Sequence, residues 1–235
     1  MRQGGLTLLE LLLSLAILGL LLGAVLAFTQ STARLERHGR ALAQLNGELS
    51  LTALVLSREA SLAGYRLGEG TALELSPGVE GDRLILRFFC DTGMELYCSR
   101  TNMNGVRTVG YRLSQGTLYW GACRGSCEPS LVHPVMDEVE VFRVAYRTDA
   151  WQRGSLSVEQ TPQGASPKVA MLALYLLARS PIRTKASPFT PGSTVDWGQT
   201  PDLDRELLLR DHTPPPDGHP RAERLVVVHT PNLWR

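Results

Sequence analysis

Hydrophobic positions fall into three regimes along the chain. From Leu11 to Ala33 no residue is charged, and Leu11 to Phe28 is almost wholly aliphatic. As an α-helix this stretch spans roughly 35 Å, enough to cross the hydrocarbon core of a membrane. Beyond it the apolar positions thin to Leu35, Leu42, Leu45, Leu49, Leu56 and then Leu62 or Ala63, mostly three, four or seven residues apart. Arg37, Arg40, Glu48 and Arg58 lie largely between them, the pattern of an amphipathic helix with one face for a core. No proline interrupts Leu6 to Leu67, and Gly64 is a natural stop with Gly68 and Gly70 behind it. One helix of about 90 Å is therefore predicted.

Downstream the period shortens. Asp82 to Phe89 reads as a buried strand, and Val106 to Leu113 and Thr117 to Trp120 flank the turn signal Ser114-Gln115-Gly116. Val139 to Tyr146, Val169 to Leu177 and Leu225 to His229 complete the predicted strands. Spaced like an antiparallel meander and laid on the apolar face of the helix, they give an α+β fold. Eight prolines between Ser180 and Arg224 mark a loop-like insertion, in which Asp204 to Asp211 could form a short helix or strand. So long a segment is expected to contact a neighbour from the surface or to be disordered, and both readings stay open. There is no internal repeat.

Composition changes this picture little. Hydrophobic residues make up 43% of the 235 and charged residues 20%, which excludes wholesale disorder. With 24 basic against 23 acidic residues, the chain exerts no general pull on nucleic acid or anionic lipid. Only Lys168 and Lys185 are lysines, a bias read as genome composition and not as function.

Glu10 changes it more. A carboxylate at the edge of an unbroken apolar run is costly in lipid and calls for a partner. It closes Leu6-Thr7-Leu8-Leu9-Glu10, directly after Gly4-Gly5 and the short start Met1-Arg2-Gln3. This arrangement resembles the prepilin signature of type IV pilin-like proteins. The resemblance implies that a membrane prepilin peptidase cuts after Gly5 and methylates Leu6, leaving Glu10 as the fifth mature residue. A new α-ammonium near the bilayer needs a counter-charge, and Glu10, on the same or a neighbouring subunit, supplies one. Leu6 stands where the family usually has Phe, and the proline common in the family's apolar half is absent. Arg34, Arg37 and Arg40 after the span outnumber Arg2 before it, which by charge alone puts the body in the cytoplasm. The motif implies the opposite orientation.

Ser57-Arg58-Glu59-Ala60-Ser61-Leu62-Ala63-Gly64-Tyr65 is similar to the helix end of PilW-type minor pilins. Together with the prepilin resemblance, the pattern divides the chain into a leader at 1–5, a transmembrane or filament-core helix at 6–33, an amphipathic continuation at 34–67 and an extracytoplasmic β-rich domain at 68–235, with the Pro-rich insertion at 180–224.

Cys90, Cys98, Cys123 and Cys127 all fall in that outside domain, where an even count suggests two disulfides. Local pairing, Cys90 with Cys98 and Cys123 with Cys127, is preferred because both loops are short and turn-rich; the two other pairings stay open. Zinc is disfavoured, since seven and three intervening residues do not make two-residue knuckles. Ser126, Ser130, His133 and Asp137 lack a nucleophile-elbow motif. Asp211, His212, Asp217 and His219 read as chance company in a proline-rich loop, and Asp202 with Asp204 lacks the rest of a calcium loop. Trp120, Trp151, Trp197 and Trp234 read as packing residues. Neither an enzyme, a cofactor nor a resident metal is expected.

The expectation is a minor pilin, processed in the inner membrane and then carried to the pilus or cell surface. Its partners would be the prepilin peptidase, the inner-membrane assembly platform and other pilins, and its roles adhesion, twitching motility or DNA uptake. Direct contact with nucleic acid stays open. The alternatives are a type II secretion pseudopilin and, in another class, a membrane-anchored extracytoplasmic enzyme or binding module.

Overall fold

A computed structural model describes residues 8–91, 94, 98, 104–183, 189–209 and 212–234. The chain divides into two compact units, residues 1–41 and 42–235. Helix α1, Leu8–Leu62, supplies all the described structure of the first unit and the opening of the second.

In the second unit, Leu45, Leu49, Ala53, Leu56 and Ala60 of the helix are buried, as is Ala63 just past its end. Their spacing is the three-or-four rhythm read from the sequence, carried on by small residues where leucines run out. Leu35, assigned by that rhythm to the same stripe, is 73% exposed and belongs to the first unit. The helix stops where expected: Gly64 takes a left-handed φ of 75° and its N–H donates to the Arg87 carbonyl at 2.8 Å. One of the last helical carbonyls, that of Ser61, accepts from Asn232 Nδ2 at 3.3 Å, so the end of the chain caps the end of the helix.

The body holds two antiparallel sheets. Its strands are β1 (Gly70–Ser76), β2 (Arg83–Cys90), β3 (Gly105–Ser114), β4 (Thr117–Arg124), β5 (His133–Met136), β6 (Val139–Arg147), β7 (Trp151–Gln152), β8 (Leu156–Thr161), β9 (Gly164–Ser166), β10 (Met171–Arg179) and β11 (Arg221–His229). Seven form a sheet in the order β5-β4-β3-β2-β1-β8-β9, and four form a second in the order β11-β10-β6-β7. The predicted hairpin is present, with Gln115 and Gly116 as its two-residue turn. Strands β1, β5, β8 and β9 carry no strong apolar run and were not predicted; their partners in the sheet define them.

One core unites the helix with both sheets: Leu49 and Leu56 pack in one cluster with Leu86, Phe88, Val109, Tyr111, Phe142, Leu172 and Leu174. The opposite face of the four-stranded sheet has a core of its own. Val141, Ala145, Ala173, Tyr175 and Leu177 meet Leu203 and Leu208, with Phe189, Val195 and Trp197 against them. For its described residues this replaces the disordered reading of the Pro-rich insertion. Its described part is a covering layer that includes a short helix α2, Arg205–Leu209, within the segment so predicted. The physical reason lies in β10, which is apolar at consecutive positions and so needs cover on both faces.

Candidate functional site

The chemistry read from the sequence centres on the N-terminal helix. Gly5 and Leu6 lie outside the described residues. Glu10 stands in the first turn of α1, at the positive end of the helix dipole, which favours a carboxylate. Every residue from Leu8 to Thr32 is exposed within the chain. The hydroxyls in this rod turn back on it: Ser14 donates to the Leu11 carbonyl at 2.9 Å, Thr29 to Leu26 at 2.9 Å, Ser31 to Phe28 at 2.8 Å and Thr32 to Phe28 at 2.9 Å. These polar groups are thereby satisfied internally, as an apolar surrounding demands. Long aliphatic side chains wholly outside any core of their own chain need a partner, either lipid or other helices. Farther along the unit, Glu36 pairs with Arg40 one turn on.

In the body, acidic side chains sit at four joints. Asp82, fully buried just before β2, accepts from Arg153 Nη2 at 2.7 Å and Nε at 3.2 Å and from the Val144 N–H at 2.7 Å, with Arg143 at 3.5 Å. Its own N–H donates to the Phe142 carbonyl at 2.9 Å, so this one residue fastens the larger sheet to the β6 edge of the smaller.

Glu59 faces the core from α1 and accepts from the Tyr111 hydroxyl at 2.5 Å. Burial pushes the Glu59 carboxyl above its ordinary range, against the pull of Tyr111, Arg107 and Trp120. Burial and the adjacent Glu59 carboxylate push the Tyr111 phenol up. A cue existed: Glu59 falls three residues after Leu56, on the stripe that faces the core.

Glu140 and Asp217 flank Arg221, whose Nε and Nη2 meet Glu140 at 2.8 Å and whose Nη1 and Nη2 meet Asp217 at 3.0 Å. Burial pushes Glu140 up, but contacts with His212 and Arg221 bring it below its ordinary value. Hydrogen bonds from Arg221 hold Asp217 down at about 2, against the opposing effect of burial and with help from the His219 N–H. Glu138 pairs with Arg179 at 2.5 Å beside them. A cavity of about 360 Å³ opens here, lined by Glu80, Glu138, Glu140, Arg179 and His212 among others.

Glu223 is the fourth. It takes hydrogen bonds from the Tyr175 hydroxyl at 2.6 Å, the Gly192 N–H at 2.5 Å, and the Thr194 N–H and hydroxyl at 2.7 and 2.8 Å. This stitch holds the covering layer to β11. Sequence reading missed it, because it began the last strand at Leu225 and left Glu223 in the Pro-rich insertion, whereas β11 starts at Arg221.

Cys90 bonds to Cys98 and Cys123 to Cys127. The second bond ties the tight turn after β4, and the segment beyond Cys127 folds back over the larger sheet. There Gly110 and Gly121 stand directly opposite each other on β3 and β4, and the loop backbone at Ser130 occupies the space above Gly121.

The other groups noted in the sequence do not converge on a reaction centre. His133 stacks on Trp120 with ring centroids 5.9 Å apart, Asp137 accepts from the Thr117 hydroxyl at 2.8 Å, and Ser130 is engaged through its backbone above Gly121. His212, Asp217 and His219 belong to the ion-pair joint around Arg221 and Ser180; Asp211 lies outside the described residues. Among the described residues no three His, Cys, Asp or Glu side chains are grouped to hold a metal ion.

Comparison with known proteins bears on both units. The family model described as type IV pilin Tt1219 matches residues 44–233, and the prokaryotic N-terminal methylation motif matches residues 1–26. The solved structure of a type IV-like pilin, TTHA1219 from Thermus thermophilus, is 49% identical in sequence. It superposes with a TM-score of 0.75 over 80% of this chain and 98% of its own. A chain of the GspK-GspI-GspJ complex from the type 2 secretion system of enterotoxigenic Escherichia coli is 21% identical, with a TM-score of 0.39 over 57% of this chain and 88% of its own, a likeness too slight to bear on the argument. No curated protein matches the chain.

Proposed function

The chain belongs to the type IV pilin Tt1219 family, and from that premise we propose that it is a minor subunit of a type IV pilus, held in the filament by its N-terminal helix. The observation that carries the proposal is the exposed aliphatic rod from Leu8 onward, directly behind a methylation motif. A surface so apolar, with its hydroxyls turned inward, is suited first to lipid and then to a bundle of like helices. The leader at 1–5 is removed at Gly5 by the prepilin peptidase, and Leu6 becomes the methylated N-terminus. The segment 6–33 is extracted from the inner membrane by the assembly platform, and the body from 68 to 235 stays outside.

Glu10 supplies the counter-charge for an α-ammonium as helices pack, fixing their register. A minor role suits the body: its two disulfides, the ion-pair joints at Asp82 and Arg221, and the stitched covering layer make a specialised domain. Its consequences lie in pilus biogenesis, with adhesion, twitching motility or DNA uptake downstream.

Mass spectrometry of the mature N-terminus tests the first step, with methylated Leu6 as the expected result. An intact Met1, or a cut beyond the apolar run, sinks the proposal. Glu10→Ala is expected to leave cleavage intact and to lower incorporation into filaments, whereas replacing Gly5 blocks cleavage. Wild-type incorporation of the Glu10 variant rules out its assigned role. Recovery of the chain in a secretion pseudopilus, and not in pili, reassigns it to the pseudopilins.

A further inference from the structure

The two sheets have four edges, and three of them are blunted. β5 carries Pro134 and a register break against β4 between Leu118 and Tyr119. β9 is only three residues long and is followed by Pro167. β7 is two residues long, and beyond it Asp82 occupies the Phe142 carbonyl and Val144 N–H on the β6 edge. Short strands, proline and covering groups are the ordinary protections of a sheet edge against further pairing.

β11 is neither short nor broken by proline, and among the described residues the covering layer is fastened to it only at Glu223. It runs nine residues without proline, lysine or glycine, in unbroken register with β10 from Arg221↔Arg179 to His229↔Met171. Two hydrogen bonds at its ends fix which of its backbone groups are in use. The Ser180 N–H donates to the Pro220 carbonyl at 2.7 Å, and the Thr230 N–H to the Ala170 carbonyl at 3.0 Å. In an antiparallel ladder the hydrogen-bonded pairs alternate, so the even positions 222, 224, 226 and 228 face β10. The odd positions Glu223, Leu225 and Val227 turn their N–H and C=O groups outward. Among the described residues no hydrogen bond to those groups is made at Leu225 or Val227. Arg224, Leu225, Val226 and Val227 are only partly covered or exposed although the strand lies against two cores. A cavity of about 400 Å³ borders them, lined on its other side by Thr194, Val195 and Asp196.

We propose that this edge takes up an extended segment of a neighbouring pilin-type subunit as a fifth strand of the smaller sheet, with an acidic side chain of that segment opposite Arg224. The choice of a subunit rests on the filament reading above, which brings neighbours to high effective concentration. The choice of an acidic residue rests on Arg224, which is exposed and makes no ion pair among the described residues. Pairing of β11 with itself about Leu225 sets Arg224 against Val226, and sliding by one step sets Arg224 against its own copy. A second copy's β11 is therefore the wrong occupant. The new strand gains backbone bonds from the outward groups and aliphatic contacts with Leu225, Val226 and Val227, the usual physics of strand addition.

Residue-level amide exchange tests this on the full chain, in purified filaments and in detergent. On assembly, Leu225 and Val227 are expected to exchange about tenfold or more slowly, while Arg224 and Val226, already bonded to β10, do not change. Leu225→Pro removes an outward N–H and no β10 bond, so it is expected to lower incorporation while the body still melts cooperatively. Arg224→Glu is expected to lower incorporation without touching the strand. A chain that enters filaments with Leu225 and Val227 exchanging as fast as in detergent overturns this inference alone, whatever the variants do. Protection traced to a β11–β11 pair overturns the occupant. A wild-type chain absent from filaments overturns the subunit reading and this inference with it.

Discussion

Replacing Glu223 by Gln keeps the volume and shape of the side chain but converts one carboxylate oxygen into an NH2 group. Both oxygens are in use. Oε2 serves the Tyr175 hydroxyl and the Gly192 N–H, and Oε1 serves the N–H and hydroxyl of Thr194. Whichever way the amide turns, it sets its own donors against a backbone N–H, at Gly192 or at Thr194, and loses two charge-assisted bonds. Bonds to a charged group contribute about 1.5–3 kcal/mol each, and the hydroxyl of the affected pair can rotate to recover part of its own. The expected loss is about 2–4 kcal/mol. Because the carboxylate stitches residues 192–194 to β11, the covering layer is expected to loosen before the sheets do. The assay is a urea unfolding curve of the detergent-solubilised full chain, paired with amide exchange across residues 189–199. The expected result is a lower midpoint with faster exchange confined to the layer. A change below about 0.5 kcal/mol with unaltered exchange at Gly192 and Thr194 refutes the stitch.

Further outcomes follow from the same geometry. Gly121→Ala places a Cβ 2.0 Å from the Ser130 carbonyl oxygen, so the segment between Cys127 and β5 must lift. A loss of about 1–3 kcal/mol with faster exchange at 128–132 is expected, and Gly110→Ala, which meets side chains of Pro129 and Leu131, is expected to lose less. Asp82→Ala removes the carboxylate partner of Arg153 and the Val144 N–H, while Arg143 keeps the Gly78 and Val79 carbonyls, for an expected loss of about 3–5 kcal/mol in unfolding free energy. Asp217, held at about 2 against an ordinary 3.8, contributes stability that is complete above the higher value and is lost as pH falls toward the lower. Asp217→Asn is therefore expected to flatten that part of the acid limb in a urea-midpoint titration. Glu59, pushed above its ordinary 4.5, acts in the opposite sense, adding stability as pH falls toward 4.5.

The long helix and its stop were legible because periodicity is local. Leu45, Leu49 and Leu56 share a face at helical spacing whatever the rest of the chain does, and Gly64 ends the helix through its own backbone freedom. The methylation motif is equally local, a string of adjacent residues at the head of an apolar run. The disulfide pairs Cys90–Cys98 and Cys123–Cys127 join neighbours in sequence, which is why loop length already favoured them.

Partner choice is different. Asp82 meets Arg143 and Arg153 across more than sixty positions, and Glu223 meets Thr194 across twenty-nine. Nothing in the residues around either acid encodes so distant a neighbour. The division into two sheets, the second core under the Pro-rich layer and the unprotected edge of β11 arise in the same way. A strand's sequence fixes which face is apolar, but only the packed chain decides which strand lies beside it and which edge is left open. The sequence by itself determined an exposed apolar helix, its processing motif and an α+β body. The tertiary structure decided how that body is fastened together, because hydrogen bonds and ion pairs between distant residues depend on geometry that no local pattern carries.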